Sequence, residues 1–433
     1  MLPRRELLKS FVTLGTGLLA SANSRLAAEA PQSGGLAQEW PNTSQGVGRE
    51  CDLVIKGGTV IDPSQHLHGV LDVAVKDGKI LEVSRDLAVG RTRVVLSAKD
   101  KIVTPGFVDI HAHVLEGLTI MGVNADLNCL AKGTTTVVDA GSAGWPMIDG
   151  LRKYVINTST TRVYALLDIS AIGSVVVDKG MSNLAWVDPE LSARVAEENR
   201  PAVVGIMVQL GEARVGSKEL ELECVRRGRQ AAEACGLPMM VRSPHSASPL
   251  PPILEIMRKG DVWTQMYTPG PTGILDATGK VLPEVREARE RGVLFDVGHA
   301  LVHFTFDGVD KCLQQGFPPD TISSCMIRSH PYKPYEVTTD LPTIVSEFLL
   351  LGLDLDKIVE MVTAKPAQMF DYRVELGTLR PGREADISIF ELREGEFTFV
   401  DFTGGKRTGR QRLFPVATVR AGSLFETTEQ FYS

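Results

Sequence analysis

The sequence has 433 residues, of which 43% are hydrophobic and 23% charged, and its formal net charge at pH 7 is −7. This length accommodates one large domain together with a smaller one, and the composition is ordinary for a folded globular protein. The acidic balance excludes an electrostatic case for binding nucleic acid or an anionic membrane surface. We therefore expect a small-molecule substrate or ligand and no nucleic acid, while a homo-oligomer stays open.

Residues 1–30 predict an export signal. Arg4, Arg5 and Lys9 precede an apolar stretch of signal-peptide length, and small residues follow as cleavage candidates. The order PRRELLK is similar to a twin-arginine signal, which predicts export to a bacterial periplasm or cell envelope. An uncleaved amphipathic N-terminus is the alternative. Residues 31–50 are polar and predict a linker, and no segment is apolar over enough residues to predict a stable membrane span.

Short strand patterns occupy both ends of the remaining chain. Residues 51–104 alternate in hydrophobicity and contain an Asp77-Gly78 hairpin turn. Residues 374–433 return to the same pattern. We expect these two blocks to form one composite β-sandwich domain.

Strands and helices alternate between the two blocks, over residues 105–373, which predicts a parallel sheet. The eight candidate strands are 106–113, 134–141, 162–170, 203–211, 237–243, 261–267, 293–300 and 321–327. Helical patterns such as 218–236 separate most of them. The predicted fold class is therefore α/β, a TIM (β/α)8 barrel with a flanking composite β-sandwich, and its chemistry is expected where the barrel strands end.

The first candidate barrel strand ends in two histidines one residue apart. His111 and His113 of TPGFVDIHAHV would share one face of a strand, where two imidazoles can bind one metal ion. His66 and His68 have the same spacing, but they stand in the turn-like stretch DPSQHLHG, and we interpret them as a surface loop. Position at the end of a barrel strand, rather than spacing, makes the pair at 111 and 113 the candidate.

Five ordered motifs resemble the amidohydrolase superfamily, above all its amidohydrolase/deacetylase branch, which is related to dihydroorotases and D-aminoacylases. The motifs are KIVTPGFVDIHAHV, TTTVVDAGSAG, VLFDVGHA, PDTIS and LGTLRPGREADISIF. The resemblance implies a TIM barrel with a β-sandwich and the hydrolysis of amide, cyclic amide or ester bonds with one or two zinc ions. For two-metal members it also implies metal ligands at six places: HxH on the first strand, a carboxylated lysine on the fourth, a histidine on each of the fifth and sixth, and an aspartate on the eighth.

This sequence departs from that ligand pattern on four strands. The family motifs GIKV, MVH, DVLTH and ISTD are GIMV, MVR, DVWTQ and ISSC here, and the replacing residues are Met207, Arg242, Gln265 and Cys325. A thioether cannot be carboxylated, and a guanidinium has no acceptor atom for a metal ion. The motif DVGHA keeps its histidine, His299. A two-metal hydrolase is therefore not expected.

Two hypotheses follow from these replacements. The favoured one is a catalytically degenerate barrel that binds a small anionic ligand, such as a carboxylate, by paired hydrogen bonds. Its ligand-binding candidates are Arg242, Gln265 and His299. The alternative is a divergent hydrolase or deacetylase that holds at most one zinc ion. Its metal ligands would be His111, His113 and Cys325. Neither hypothesis identifies a catalytic residue.

Other roles stay open for three polar positions near these strands. Arg242 could instead form an ion pair with Glu116 or Asp109, which would leave a cleft without a ligand. His245 and His330 lie just past the fifth and eighth strands. Each could be a ligand, a base or a solvated loop residue.

Overall fold

The computed structural model describes residues 37–38 and 50–427, apart from residues 89, 177, 244, 271, 301–302 and 331–332. The predicted export signal over residues 1–30 lies outside the described residues, as does most of the predicted linker, in which Ala37–Gln38 form a two-residue strand. In the described part, every helix is too short or too polar to cross a bilayer.

The first block of strands begins immediately after the predicted linker. Its strands are β1 (Cys51–Asp62), β2 (Leu67–Lys76), β3 (Lys79–Ser84), β4 (Thr92–Ser97) and β5 (Ile102–Pro105). β2 and β3 form the predicted hairpin around Asp77 and Gly78, both of which have positive φ angles. His66 is exposed and follows a short 3₁₀ turn, whereas His68 lies on β2 with its Nδ1 2.9 Å from Oδ2 of Asp356. The surface-loop interpretation is therefore wrong for His68, although its side chain is exposed.

Seven parallel strands follow and lie side by side in chain order. They are β6 (Phe107–Ala112), β7 (Thr134–Gly144), β8 (Arg162–Asp168), β9 (Val203–Gln209), β10 (Met239–Arg242), β11 (Val262–Trp263) and β12 (Leu294–Phe295). The eighth segment, residues 321–327, makes two parallel bridges, Thr321 to Asp296 and Met326 to Ala112. These bridges join the β12 side of the sheet to β6 and close the barrel. The predicted fold class is confirmed.

Helices cover the outside of the barrel because their apolar side chains repeat along one face. They are α1 (Ala125–Asn128), α2 (Ile148–Leu151), α3 (Pro189–Glu198), α4 (Glu212–Val215), α5 (Lys218–Cys235), α6 (Leu250–Ile256), α7 (Pro283–Glu290), α8 (Phe306–Gln314), α9 (Leu341–Leu350) and α10 (Leu355–Val362). In α5, the Ser217 side chain caps the first turn and Gly236 ends the last in the left-handed conformation. A Cβ added at Gly228 would lie 2.3 Å from Cγ2 of Val208, so α5 packs closely on β9.

Five more strands complete the described chain, and three of them return to the first sheet. They are β13 (Arg328–His330), β14 (Lys333–Val337), β15 (Ile387–Val400), β16 (Lys406–Arg420) and β17 (Ser423–Glu426). The order β4, β1, β5, β15, β16, β17 runs across this sheet, with Val103 of β5 opposite Ile389 of β15. The two ends of the chain therefore build one domain, as predicted.

Candidate active site

The three predicted metal ligands converge at the carboxyl ends of the barrel strands. His111 lies on β6, His113 follows that strand by one residue, and Cys325 lies on the eighth segment. One ligand atom from each residue lies within 4.8 Å of the other two. Their side chains are buried, with exposed fractions of 0%, 1% and 2%. Closure of the barrel brings Cys325 to the histidines, because Met326 bridges to Ala112, the residue between them.

Hydrogen bonds fix which nitrogen of His111 is available. Nδ1 of His111 lies 2.8 Å from Oγ1 of Thr264, and that hydroxyl donates to Oδ2 of Asp296 at 2.6 Å. A hydroxyl has a single proton, so Thr264 must accept a hydrogen bond from Nδ1–H of His111. Nε2 of His111 then carries the lone pair, and it has no hydrogen-bond partner among the described residues although it is buried. An imidazole held in this way is ready to bind a metal ion through Nε2.

His113 is oriented by a second hydroxyl. Its Nδ1 lies 3.0 Å from Oγ of Ser142, whose backbone N–H donates to Oδ1 of Asp139 at 2.8 Å. Burial and, to a smaller extent, the charge of Arg242 lower the pKa of His113 to about 3. Burial also lowers the pKa of His111 well below its usual value, and the charges of His113 and Arg242 contribute to a smaller extent. Both imidazoles are therefore neutral, which is the form that binds metal.

Cys325 and Gln265 contact each other in an unusual backbone conformation. Both have positive φ angles, 46° for Cys325 and 61° for Gln265, and left-handed non-glycine residues of this kind concentrate at functional sites. Nε2 of Gln265 lies 3.6 Å from the Cys325 sulfur, and Oε1 of Gln265 is buried without a partner in the described part of the chain. Burial raises the pKa of the Cys325 thiol to about 12, so a metal would have to displace its proton.

Arg242 is paired with an amide rather than with a carboxylate. It ends β10 directly opposite Gln209, the last residue of β9, and its Nε and Nη2 donate to Oε1 of Gln209 at 3.0 and 2.6 Å. In the described part of the chain, no carboxylate oxygen lies within ion-pair distance of Arg242. Arg242 is nevertheless close enough to Cys325 to lower the pKa of its thiol. Gln209 was not predicted from the sequence.

The predicted alternative partners of Arg242 have other contacts. Both oxygens of Asp109 accept hydrogen bonds from Ser324, and Oδ1 also accepts one from the backbone N–H of His111. Glu116 accepts a hydrogen bond from Asn124 at 3.1 Å. The alternative of an ion pair between Arg242 and either carboxylate is therefore wrong.

The other candidate histidines lie in different surroundings. His299 is fully buried, with Nε2 2.8 Å from Oε2 of Glu347 on α9 and its ring stacked on Phe304 at a centroid distance of 4.3 Å. His245 is exposed, and its carbonyl accepts a hydrogen bond from the backbone of Glu212. The side chain of His330 lies outside the described part. The role of His299 in binding a ligand stays a prediction.

Comparisons with known proteins agree with the motifs. Residues 379–426 match the family described as a deacetylase-like composite domain. A deacetylase of Enterococcus faecalis is 29% identical over 380 residues, which are 87% of this chain and 100% of that protein. A dihydroorotase of Aquifex aeolicus is 26% identical, over 78% of this chain and 89% of its own. The crystal structure of an adenine deaminase superposes with a TM-score of 0.78 at 28% identity, over 87% of this chain and all of that one. The chain belongs to the amidohydrolase superfamily.

Membership in the amidohydrolase superfamily gives the replaced ligands their meaning. The similarity to these relatives extends over 87% of the chain, so it includes most of the barrel and of the composite domain. Against that common frame, His111 and His113 keep the first-strand pair, while Arg242 and Gln265 stand where the family resemblance implies histidines. The barrel mouth therefore carries other side chains at these positions, on a fold that superposes on that of a relative.

Proposed function

We propose that this chain is a divergent hydrolase of the deacetylase type, which cleaves an amide or acyl ester bond of a small molecule with the help of a single metal ion. The observation that carries the proposal is Nε2 of His111, which is buried beside His113 and Cys325 and bonds none of the described residues. Two imidazole nitrogens and one sulfur are donors that zinc accepts, and three protein ligands leave a fourth position for water or substrate.

The residues around this group supply orientation and exclude water. A zinc ion held there would act as a Lewis acid and lower the pKa of a bound water. Thr264 fixes the tautomer of His111 through its bond to Asp296, and Ser142 orients His113. Because the three ligand side chains are at most 2% exposed, substrate groups that reach them do so away from bulk solvent. Electrostatic interactions in such a site are stronger than in water.

A second candidate function is a metal-free barrel that binds a small anion without hydrolysing it. The observation that favours it is the buried guanidinium of Arg242, whose partner Gln209 is neutral. A fixed cation beside the His–His–Cys group repels a dication and attracts an anion. Arg242 would then be the main ligand-binding group, with Gln265 and His299 as further candidates.

Metal content separates the two candidates. Full-length protein is incubated with zinc, dialysed and analysed by inductively coupled plasma mass spectrometry, and its hydrolysis of N-acetyl amino acids and acetyl esters is measured. We expect one zinc per chain and hydrolysis, both lost in His111→Ala. The matched control is His68→Ala, which removes an exposed histidine of the same HxH spacing and should change neither. Wild-type protein that binds no zinc and hydrolyses none of these compounds would leave the anion-binding candidate.

We also propose that the protein is exported to the periplasm or cell envelope, on the basis of the PRRELLK segment. Cell fractionation of the full-length chain and of a variant with Arg4→Lys and Arg5→Lys tests this. The wild-type protein should be found in the periplasmic fraction and the variant in the cytoplasm. An identical distribution of the two would contradict twin-arginine export.

A further inference from the structure

Four buried polar residues form a connected row beside the His–His–Cys group. Asp168, Gln209 and Arg242 are the last residues of β8, β9 and β10, and Arg214 lies on α4. Their exposed fractions are 0% for Asp168, 0% for Gln209, 9% for Arg242 and 3% for Arg214. Because all three strands are parallel and end at the same face, their terminal side chains meet at the mouth of the barrel.

The amide of Gln209 has only one possible orientation in this row. Nε2 of Gln209 donates to Oδ2 of Asp168 at 2.5 Å and to the carbonyl oxygen of Gly141 at 2.9 Å. Both partners are acceptors, so the NH2 end of the amide must face them and Oε1 must face Arg242. Oε1 then accepts from Nε and Nη2 of Arg242 together. These two bonds fix both the position and the plane of the guanidinium.

The row contains two guanidinium groups and a single carboxylate, so its net charge is positive. Arg214 balances Asp168, with Nη2 3.5 Å from Oδ2, and its Nη2 also donates to the carbonyl oxygen of Gly173 at 2.6 Å. Among the described residues, Arg242 bonds only the neutral Gln209, through Nε and Nη2, and its Nη1 bonds none of them. Burial lowers the pKa of Arg242 to about 10, so the guanidinium remains charged at neutral pH. A buried charge without a counterion is costly, and a bound anion would remove that cost.

We propose that Arg242 is the carboxylate-binding residue of the active site and that Gln209, held by Asp168, is the positioning residue that aims it. The substrate class is accordingly an N-acyl or O-acyl compound that carries a free carboxylate close to the bond that is cleaved. The inference rests on the proposed function for the bond that is cleaved, whereas the carboxylate site itself needs no metal. A planar guanidinium with unused N–H donors suits a carboxylate, which accepts two parallel hydrogen bonds.

Calorimetric titration of metal-free, full-length protein tests the inference with a matched pair of probes. N-acetylglycine carries the carboxylate, and N-acetylglycinamide replaces it with a neutral amide of the same shape. We expect the acid to bind about 10- to 100-fold more tightly than the amide, the usual size of a charge-assisted hydrogen-bond effect. Arg242→Met should remove this preference, and Gln209→Leu should reduce it at least tenfold because the guanidinium loses the acceptor that holds it.

Two further variants separate positioning from a general loss of structure. Gln209→Met keeps the length of the side chain but gives Arg242 no strong hydrogen-bond acceptor, so the preference for the acid should fall while the circular dichroism spectrum stays unchanged. Ser174→Ala removes a lesser partner of the same amide, 3.0 Å from Nε2 of Gln209, and should change the preference less than about twofold.

Two results would overturn the inference. The first is wild-type protein that does not prefer the acid, including protein that gives no binding heat with it. The second is a Gln209→Leu or Gln209→Met variant that folds and retains the full preference, because Gln209 would then not position Arg242. Neither result bears on zinc stoichiometry, and a protein without zinc could still show the preference. Failure of this inference and failure of the proposed hydrolysis are thus distinguishable.

Discussion

The two sides of the barrel mouth differ in charge and in what they are prepared to bind. On the side of β6 and the eighth segment, His111, His113 and Cys325 are neutral, and Nε2 of His111 is buried without a hydrogen-bond partner among the described residues. On the side of β8 to β10, the terminal residues form a hydrogen-bonded row that ends in a buried cation, Arg242. The family resemblance implies metal ligands on both sides. The comparison teaches that a buried polar network can occupy strand ends for which the resemblance implies metal ligands.

The largest expected effect comes from placing a lysine at position 207 on the fourth strand, where the family resemblance implies one. Met207 is fully buried in an apolar cluster with Val108 and Met240. We expect Met207→Lys to lower the free energy of unfolding by about 3 kcal/mol or more, because it places an uncompensated charge among apolar side chains. Urea denaturation measures the change. Met207→Leu, which keeps the volume, should cost less than about 1.5 kcal/mol, and equal losses would mean that position 207 does not require an apolar side chain.

Zinc binding by His111, His113 and Cys325 can be weakened through the hydroxyl that orients His111. Thr264→Val removes the partner of Nδ1, and we expect zinc affinity to fall by about 10- to 100-fold, the usual cost of losing such a supporting contact. Competition with a chromophoric chelator measures the affinity. The control is Thr321→Val, since Thr321 bonds the same carboxylate, Asp296, at 2.8 Å but not His111. If both variants lose the same affinity, the hydrogen bonds of Asp296 determine zinc binding and the tautomer of His111 does not.

Removing the cation should sharpen the contrast between the two sides. Arg242→Met abolishes a positive charge that lowers the pKa of both His111 and His113. We expect zinc to bind about tenfold more tightly, because the guanidinium that repels a dication is gone. The same chelator competition applies. Arg242→Lys keeps the charge and should show no gain, and a gain in both would assign the effect to side-chain shape.

The smallest expected effect concerns Gln265. Its Nε2 contacts the Cys325 sulfur at 3.6 Å, which is a weak and neutral interaction. We expect Gln265→Ala to change zinc affinity by less than about fivefold, in keeping with the net worth of a single neutral hydrogen bond. Cys325→Ser is the comparison, and it should lose most of the affinity because a hydroxyl is a poorer zinc ligand than a thiolate. A large loss in Gln265→Ala would indicate that the amide itself binds the metal.

The architecture could be predicted from the sequence because it depends on periodic patterns and ordered motifs. Alternating strands and helices predicted the barrel, and the predicted helix at 218–236 is α5, Lys218–Cys235. The meeting of His111, His113 and Cys325 could also be predicted, since strand ends of a closed barrel converge.

The contacts that orient the site could not be predicted in this way. Thr264 reaches His111 across 153 residues of sequence, and Gln209 reaches Arg242 across 33. Both pairs depend on strand register and on side-chain rotamers, which the hydrophobic pattern does not contain. Gln209 could have been identified from the sequence, because it follows Met207 by two residues and so lies on the same face of β9. For His68 the prediction itself was wrong, because the turn-like composition of DPSQHLHG indicated a loop where a strand begins at Leu67.

The sheet that both chain ends build makes the barrel dependent on the completeness of the chain. β5 lies between β1 and β15, and it leads through Gly106 into β6, the strand that carries His111. A chain cut before Ile387 would leave Ile102–Pro105 as an open sheet edge directly before the first barrel strand. Open edges of this kind recruit other chains and expose backbone to proteases. We therefore expect truncated copies to aggregate or to be degraded, starting from the sheet edge that directly precedes the first barrel strand.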